Sequence, residues 1–159
     1  MITVRRATRA DLPSLAPLAV QLVHQHHAFD AQRFAVFPRL EEGYAWFLGR
    51  ELDDADAVVL AAVRESDDAI VGYAYGRVED RSYEALLERH GALHDLFVSE
   101  DARGSGVATH LVQEMAAALK AMGAPRLVLS AAEKNERAQR LFAKLGFRRT
   151  MVEMTLELP

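Results

Sequence analysis

Cysteine is absent from this 159-residue chain, which excludes disulfides, thiolate nucleophiles and cysteine metal sites. Long apolar runs are absent too, and every one falls well short of the ~20 residues needed to cross a bilayer. Residues 1–10 contain three arginines with no hydrophobic core behind them, so they do not read as an export signal. A basic excess is also missing: the net charge is −4, which speaks against nucleic acid as a partner. The sequence contains neither the G-x-x-x-x-G-K-[ST] of a P-loop nor the G-x-G-x-x-G of a dinucleotide fold. What remains is a soluble, cytoplasmic type of domain with no membrane partner.

Apolar residues make up 50% of the chain, including seven Phe, four Tyr and one Trp, enough for one domain over 1–159 with its own core. Ile2 to Arg6 alternates as a short strand. Asp11 and Pro13 then open a helix whose apolar stripe is Leu15, Leu18, Ala19, Leu22 and Val23. Phe29 to Pro38 has no clean period and reads as a loop. Leu40 to Leu52 reads as a second helix with Tyr44, Phe47 and Leu48 inward. Ala57–Val63 and Ile70–Val78, parted by Asp67-Asp68, form an antiparallel hairpin. Asp80 to Gly91 is an irregular connection, and Leu93–Val98 is the next strand.

Leu96 to Leu111 is the stretch around which the rest is organised. An apolar β-prone run passes through an acidic turn into Gly104-Ser105-Gly106. A long amphipathic helix follows, burying Leu111, Met115, Ala118 and Met122 before Gly123 and Pro125. Strand, glycine turn and helix in that order present unpaired N–H groups and the positive end of the helix dipole, which suits phosphate oxygens. The glycines allow close approach of the backbone to a bulky anion. A plainer reading is a loop with Ser105 as helix N-cap. Leu127–Ser130 is a further strand, and Asn135–Leu145 a helix with Ala138, Leu141, Phe142 and Leu145 inward and Gly146 as its stop. Phe147–Thr150 and Val152–Leu158 read as closing strands.

Arg103-Gly104-Ser105-Gly106-Val107-Ala108 fits R/Q-x-x-G-x-G/A. Asn135 to Phe147 resembles an N-x-x-A-x-x-x-Y-x-x-x-G-F block about 30 residues further on. Together these segments resemble the GNAT superfamily of acetyl-CoA-dependent N-acetyltransferases over essentially the whole chain. The resemblance implies a mixed α/β fold with four helices and a mostly antiparallel sheet of about seven strands, the fourth and fifth parallel and splayed. It implies acetyl-CoA as cosubstrate, held by the backbone of Leu96, Phe97 and Val98 along the pantetheine arm. Gly104, Ser105, Gly106, Val107, Ala108 and Thr109 would take the pyrophosphate, with Arg103 as a phosphate contact or a solvated turn arginine. Asn135 would reach the pantetheine amides or serve only as an N-cap, and Phe142 occupies a cofactor-side position. The Val98 amide is the family-like group to polarise the thioester carbonyl.

The implied acceptor is a primary amine of a small molecule, attacked directly in a ternary complex, and dimers are frequent among relatives. An aliphatic amine with a pKa of ~10.4 costs roughly 4–5 kcal/mol to deprotonate at neutral pH, so a base is useful. His94 and Asp95 are the leading catalytic candidates. They stand where diamine acetyltransferase relatives carry Glu-Asp, and His94 takes the first position of that pair. A histidine near pKa ~6.5 suits a base at neutral pH, although a packed strand histidine is the alternative. Glu79 and Glu133 are reserve candidates. Phe142 departs from the family's usual tyrosine and cannot protonate a leaving thiolate, a role left to water or Tyr83. Two other readings stand beside the enzyme: an acyl-CoA-binding protein with little catalysis, and an acetyltransferase for a protein lysine or N-terminus. His24, His26 and His27 crowd one helix without a carboxylate partner, so no metal is expected. They are read as lining the acceptor entrance or meeting solvent.

Overall fold

The computed structural model describes all residues from Met1 to Pro159. In chain order it contains β1 (Ile2–Arg6), α1 (Leu12–Phe29), α2 (Leu40–Glu51), β2 (Ala57–Arg64), β3 (Ala69–Glu79), β4 (His90–Val98), α3 (Val107–Ala121), β5 (Leu127–Leu129) and α4 (Glu136–Lys144). The strands form one sheet in sequential order, β1-β2-β3-β4-β5. The first three pairings are antiparallel, and β4 with β5 is parallel, joined by the crossover through α3. No helix is long and apolar enough to cross a membrane.

The central strands are buried on both faces, so β2 reads as an unbroken apolar run rather than an alternating one. Val58, Leu60 and Ala62 face a core completed by Val107, Leu111, Met115 and Leu119 of α3 and Phe142 of α4. Ala57, Val59 and Ala61 face the other core, completed by Leu15, Leu18, Ala19 and Leu22 of α1 and Leu48 of α2. The stripes at i, i+3, i+4 and i+7 on α1, and at i and i+4 on α3, are what press these helices onto the sheet. α4 is capped by Asn135, whose Oδ1 accepts from the Ala138 amide at 3.2 Å.

Two expectations change. The sheet has five strands, not about seven: residues 147–159 belong to no ladder and 148–159 are exposed throughout. Alternation fixes which face a strand would bury but does not supply an edge to pair with. Here the tail runs off the sheet, with Arg149 donating to Gln139 of α4 and Arg33 binding Glu153. The cap of α3 is Gly106, not Ser105, whose hydroxyl donates back to the Ala102 carbonyl at 2.7 Å.

The turn into α1 is pinned electrostatically. Arg5 donates to both Asp11 oxygens at 2.7 and 2.9 Å, and the Thr8 amide donates to Oδ2 at 2.7 Å. These contacts hold the Asp11 carboxyl at about 2, below its ordinary 3.8. A carboxylate depressed on folding stabilises the protein above its unfolded pKa, and that contribution disappears as pH falls from about 4 towards 2. Asp11→Asn should therefore cost roughly 2 kcal/mol at neutral pH and much less near pH 2, read from urea unfolding at both values.

Candidate active site

A single extra residue in β4 shapes the site. Tyr75 pairs with Asp95 and Gly76 with Leu93, leaving His94 as a bulge between them. A bulge breaks the strict in-out alternation of a strand. Two consecutive side chains, His94 and Asp95, therefore face the α1–α2 side, where they line a cavity of about 840 Å³. Val23 and His26 of α1, Tyr44 and Phe47 of α2, and Tyr75 also line it.

His94 is held on two sides. Its Nε2–H donates to Glu79 Oε1 at 2.5 Å, and its ring stacks on Tyr75 with centroids 5.6 Å apart. A proton fixed on Nε2 by a carboxylate leaves Nδ1 as the lone-pair nitrogen of the neutral ring. The other Glu79 oxygen lies 3.5 Å from Nε2 of the buried His90, whose Nδ1–H donates to the Glu88 carbonyl at 2.9 Å. Asp95 accepts from the Tyr73 hydroxyl at 3.0 Å. Burial raises its pKa above the ordinary 3.8, against the hydrogen bond from Tyr73 and the fields of His94 and His26. Burial and then the Asp95 charge push the Tyr44 phenol up to about 12. Arg77 is already engaged, donating to Glu51 at 2.9 Å and Asp54 at 3.2 Å.

The second half of the site is a gap in the sheet. β4 and β5 pair only from Gly91↔Leu127 to Leu93↔Leu129, so β4 runs on without that neighbour. The Ser99 amide donates to Val71 across the β3 side, and alternation turns the amides of Leu96 and Val98 towards the open edge. The Val98 carbonyl on that edge accepts from Arg103 Nε at 2.9 Å, with the Arg103 guanidinium 5.5 Å from the centre of the Phe97 ring. Gly104 and Gly106 take φ of 83° and 84°, the left-handed region that favours glycine. A Cβ at either would meet nothing within 4 Å. No side chain caps α3 and no acid lies in its first turn, so its start is electropositive.

Of the residues picked out in the sequence, His94 and Asp95 share the cavity, while Leu96 and Val98 carry their amides to the gap. Arg103 and Gly104–Gly106 form the exposed loop beyond it, and Ala108 and Thr109 are half-buried in the first turn. Val107 and Phe97 are core side chains. The Asn135 oxygen is spent on its own helix, and Phe142 is 8% exposed in the core against Phe147. Tyr83 is 81% exposed, and neither it nor Glu133 lines the cavity. His26 lines the cavity, while His27 Nδ1 binds the Phe34 carbonyl. Sequence reasoning missed His90, Tyr44 and Tyr73. The pairing of His90 with Glu79 was readable only with the hairpin register, which the irregular 80–89 connection hides.

An open sheet whose parallel pair parts beside a glycine-opened helix is the architecture of an acetyltransferase of the GNAT type. The acetyltransferase (GNAT) family model matches residues 22–147, and the chain belongs to that family. It is 36% identical over 98 residues to an uncharacterized N-acetyltransferase of Mycobacterium bovis, covering 61% of this chain and 56% of that protein. The chain thus matches little more than half the length of this relative. Among solved structures it is similar to a tetramutant of the BH1408 protein of Bacillus halodurans (TM-score 0.84, 24% identity, 98% and 99% of the two chains). A predicted acetyltransferase of Clostridium acetobutylicum, solved with acetyl-CoA, shares the fold as well (TM-score 0.76, 17% identity, 99% and 96%). So does the aminoglycoside N-acetyltransferase AAC(6')-Iy in complex with CoA (TM-score 0.79, 17% identity, 99% and 95%).

Gly76 sits opposite the bulge because no other residue fits there. A Cβ on it would lie 2.7 Å from the Ala92 carbonyl oxygen and 2.8 Å from Met115 Sδ. Gly76→Ala should destabilise the fold by about 1–3 kcal/mol in urea unfolding and shift the His94 ring resonances. An alanine variant as stable as the parent would show that the strand pair can yield.

Proposed function

We propose that the chain transfers the acetyl group of acetyl-CoA to a primary amine of a small molecule, by direct attack in a ternary complex. The observation that carries this reading is the open edge of β4 beyond β5, which presents the Leu96 and Val98 amides directly after the His94–Asp95 pair on the same strand and leads through the Gly104–Gly106 loop into the uncapped start of α3. Neighbours of the same fold that hold acetyl-CoA and CoA support it, and an aminoglycoside acetyltransferase among them supports a small amine acceptor.

In this reading the amides of Gly104 to Thr109 take the pyrophosphate, with the helix dipole adding to their pull. Arg103 exchanges the Val98 carbonyl for a phosphate oxygen, and Asn135 offers its remaining amide N–H groups to the pantetheine. The Val98 amide donates to the thioester oxygen as negative charge develops on it. Asp95 draws the ammonium form of the acceptor into the aromatic cavity. His94 then accepts its proton at Nδ1 while Glu79, on Nε2–H, steadies the imidazolium that forms. The amine attacks the carbonyl carbon, the C–S bond breaks, and the thiolate leaves with a proton from solvent. Phe142 supplies none, being a hydrocarbon ring in the core. A thiol pKa of ~8.5 lies only about 1.5 units above neutral, so the missing acid costs at most about 2 kcal/mol.

A slower, CoA-binding role is the second reading, and the same Phe142 favours it. Thiol release from acetyl-CoA against polyamines, amino acids, aminoglycosides and peptides separates the two. Turnover with at least one amine is expected, and none with any of them would leave only the binding role. His94→Ala should lower kcat by roughly 10²–10⁴-fold while CoA affinity measured by calorimetry stays within a few-fold; an unchanged rate removes His94 from the mechanism. Gly106→Val should do the reverse at the cofactor, weakening CoA by at least about tenfold, because a β-branched residue does not hold the left-handed φ.

A further inference from the structure

The cavity that Asp95 lines carries its charges unevenly. Only two carboxylates line it, Glu79 and Asp95, both on strands of the sheet. Glu79 is committed to the imidazoles of His94 and His90, which leaves Asp95 as the one acid there to take an ammonium group. Three guanidiniums line the same space, those of Arg33, Arg39 and Arg77. Glu51 and Asp54 hold Arg77 and Glu153 holds Arg33, whereas the guanidinium of Arg39 has no acidic partner in the chain. The rest of the lining is largely apolar, with Phe34, Phe37, Leu40, Tyr44 and Phe47.

Local structure gives no reason for an arginine at position 39. The residue precedes α2 at φ 54° and ψ 44°, a left-handed conformation that glycine holds without steric cost and arginine does not. Its side chain caps nothing. From there α2 runs along the cavity to Tyr44, which feels the Asp95 charge, and to Phe47. Phe47 packs edge-on against Tyr75 with centroids 5.2 Å apart, and Tyr75 is the ring stacked on His94. At a rise of ~1.5 Å per residue, Arg39 stands roughly 7–12 Å along the helix axis from these two aromatics. The unpartnered cation and the acid thus belong to different levels of one cavity.

We infer that the acceptor is an amine with an acidic far end: an ammonium group that meets Asp95 and His94, an apolar body between the aromatic walls, and a carboxylate that meets Arg39. This rests on the acetyl-transfer reading and adds the acceptor's class to it. A polycation fits poorly, because its second ammonium would meet Arg39 with no acid left to pair it. An α-amino acid fits poorly for the opposite reason, since its carboxylate would be carried with the amine against Asp95. A spacer between amine and acid satisfies both charges at once. The fork of arginine takes a carboxylate in two parallel hydrogen bonds, and one guanidinium balances its single charge. Arg39 is in this way a specificity-determining residue.

Three amines of one shape test this: p-(aminomethyl)benzoate, benzylamine and p-xylylenediamine place a negative, a neutral and a positive group at the far end. In thiol release from acetyl-CoA, kcat/KM should be highest for the benzoate, at least about tenfold above the diamine. Arg39→Gly should cut that preference at least about tenfold, chiefly through the KM of the benzoate, with no loss of stability in urea because glycine suits the backbone there. Arg39→Lys keeps the charge and should keep most of the preference. A parent protein that favours the diamine overturns the inference, and so does a preference for the benzoate that survives Arg39→Gly. Silence with all three amines would instead count against acetyl transfer, and the inference is then read from calorimetric titration of the same compounds. There the benzoate must bind more tightly than the diamine and lose that advantage in Arg39→Gly; equal binding, or none, overturns it.

Discussion

The whole site depends on one residue that β4 has and β3 does not match. Were β4 regular, His94 and Asp95 would face opposite sides of the sheet, one the α3 core and the other the α1–α2 cavity, and the two could not act on one ligand. The bulge opposite Tyr75 and Gly76 puts both on the same side and restores the alternation beyond, so that Leu96 and Val98 still reach one core and Phe97 the other. It also bends the strand just where β5 ends. Strand curvature, the gap in the sheet and the clustering of ionisable groups are therefore one structural event. Gly76 is its counterpart on β3, where the backbone of β4 and Met115 approach too closely for any side chain.

Charge follows the same geometry. Asp95 is half-buried beside the phenol of Tyr73, its one side-chain hydrogen-bond donor, and its partial burial raises its pKa above the ordinary 3.8. A cation entering the cavity stabilises the charged form. A protonated amine is such a cation, yet it cannot attack a thioester until it loses its proton. In the proposed mechanism binding and activation make opposite demands on the same nitrogen, and the adjacent residues would divide them, a carboxylate for the ammonium and an imidazole for the proton. The nearby guanidinium of Arg77 does not compete, because Glu51 and Asp54 already occupy it.

Much of this was legible in the sequence, for reasons that differ by element. The helices showed because their buried stripes repeat at 3.6 residues, and α3 and α4 also carry glycine stops at Gly123 and Gly146, both at φ 91°. The parallel β4–β5 pair showed through the α3 crossover between them. The bulge was invisible, since one surplus residue changes no composition and no period. His90 was hidden by the irregular 80–89 connection, which conceals the register that sets it opposite Glu79. The tail is the opposite case: Val152–Leu158 has the cleanest strand pattern in the chain and no ladder in a single copy. A period of two specifies a face, whereas pairing needs an edge that local sequence does not encode.

In the proposed reading the beginning of α3 gives up some stability to the cofactor site. α1 starts at Asp11, α2 carries Glu41 and Glu42 in its first turn, and α4 has both the Asn135 cap and Glu136. α3 starts on a left-handed glycine with neither a capping bond nor an acid in its first turn; α1 also lacks both beyond Asp11 itself. A capping side chain is worth about 1 kcal/mol, and an acid in the first turn adds a few tenths more. Either would also occupy the amides or cancel the field on which the proposed diphosphate site draws. The helix can forgo them because its stability comes from elsewhere: Leu111, Met115 and Leu119 are essentially inaccessible to solvent, locking α3 onto the sheet one turn beyond the exposed loop. Tight burial on one face is what permits an unsatisfied terminus at the end of the helix.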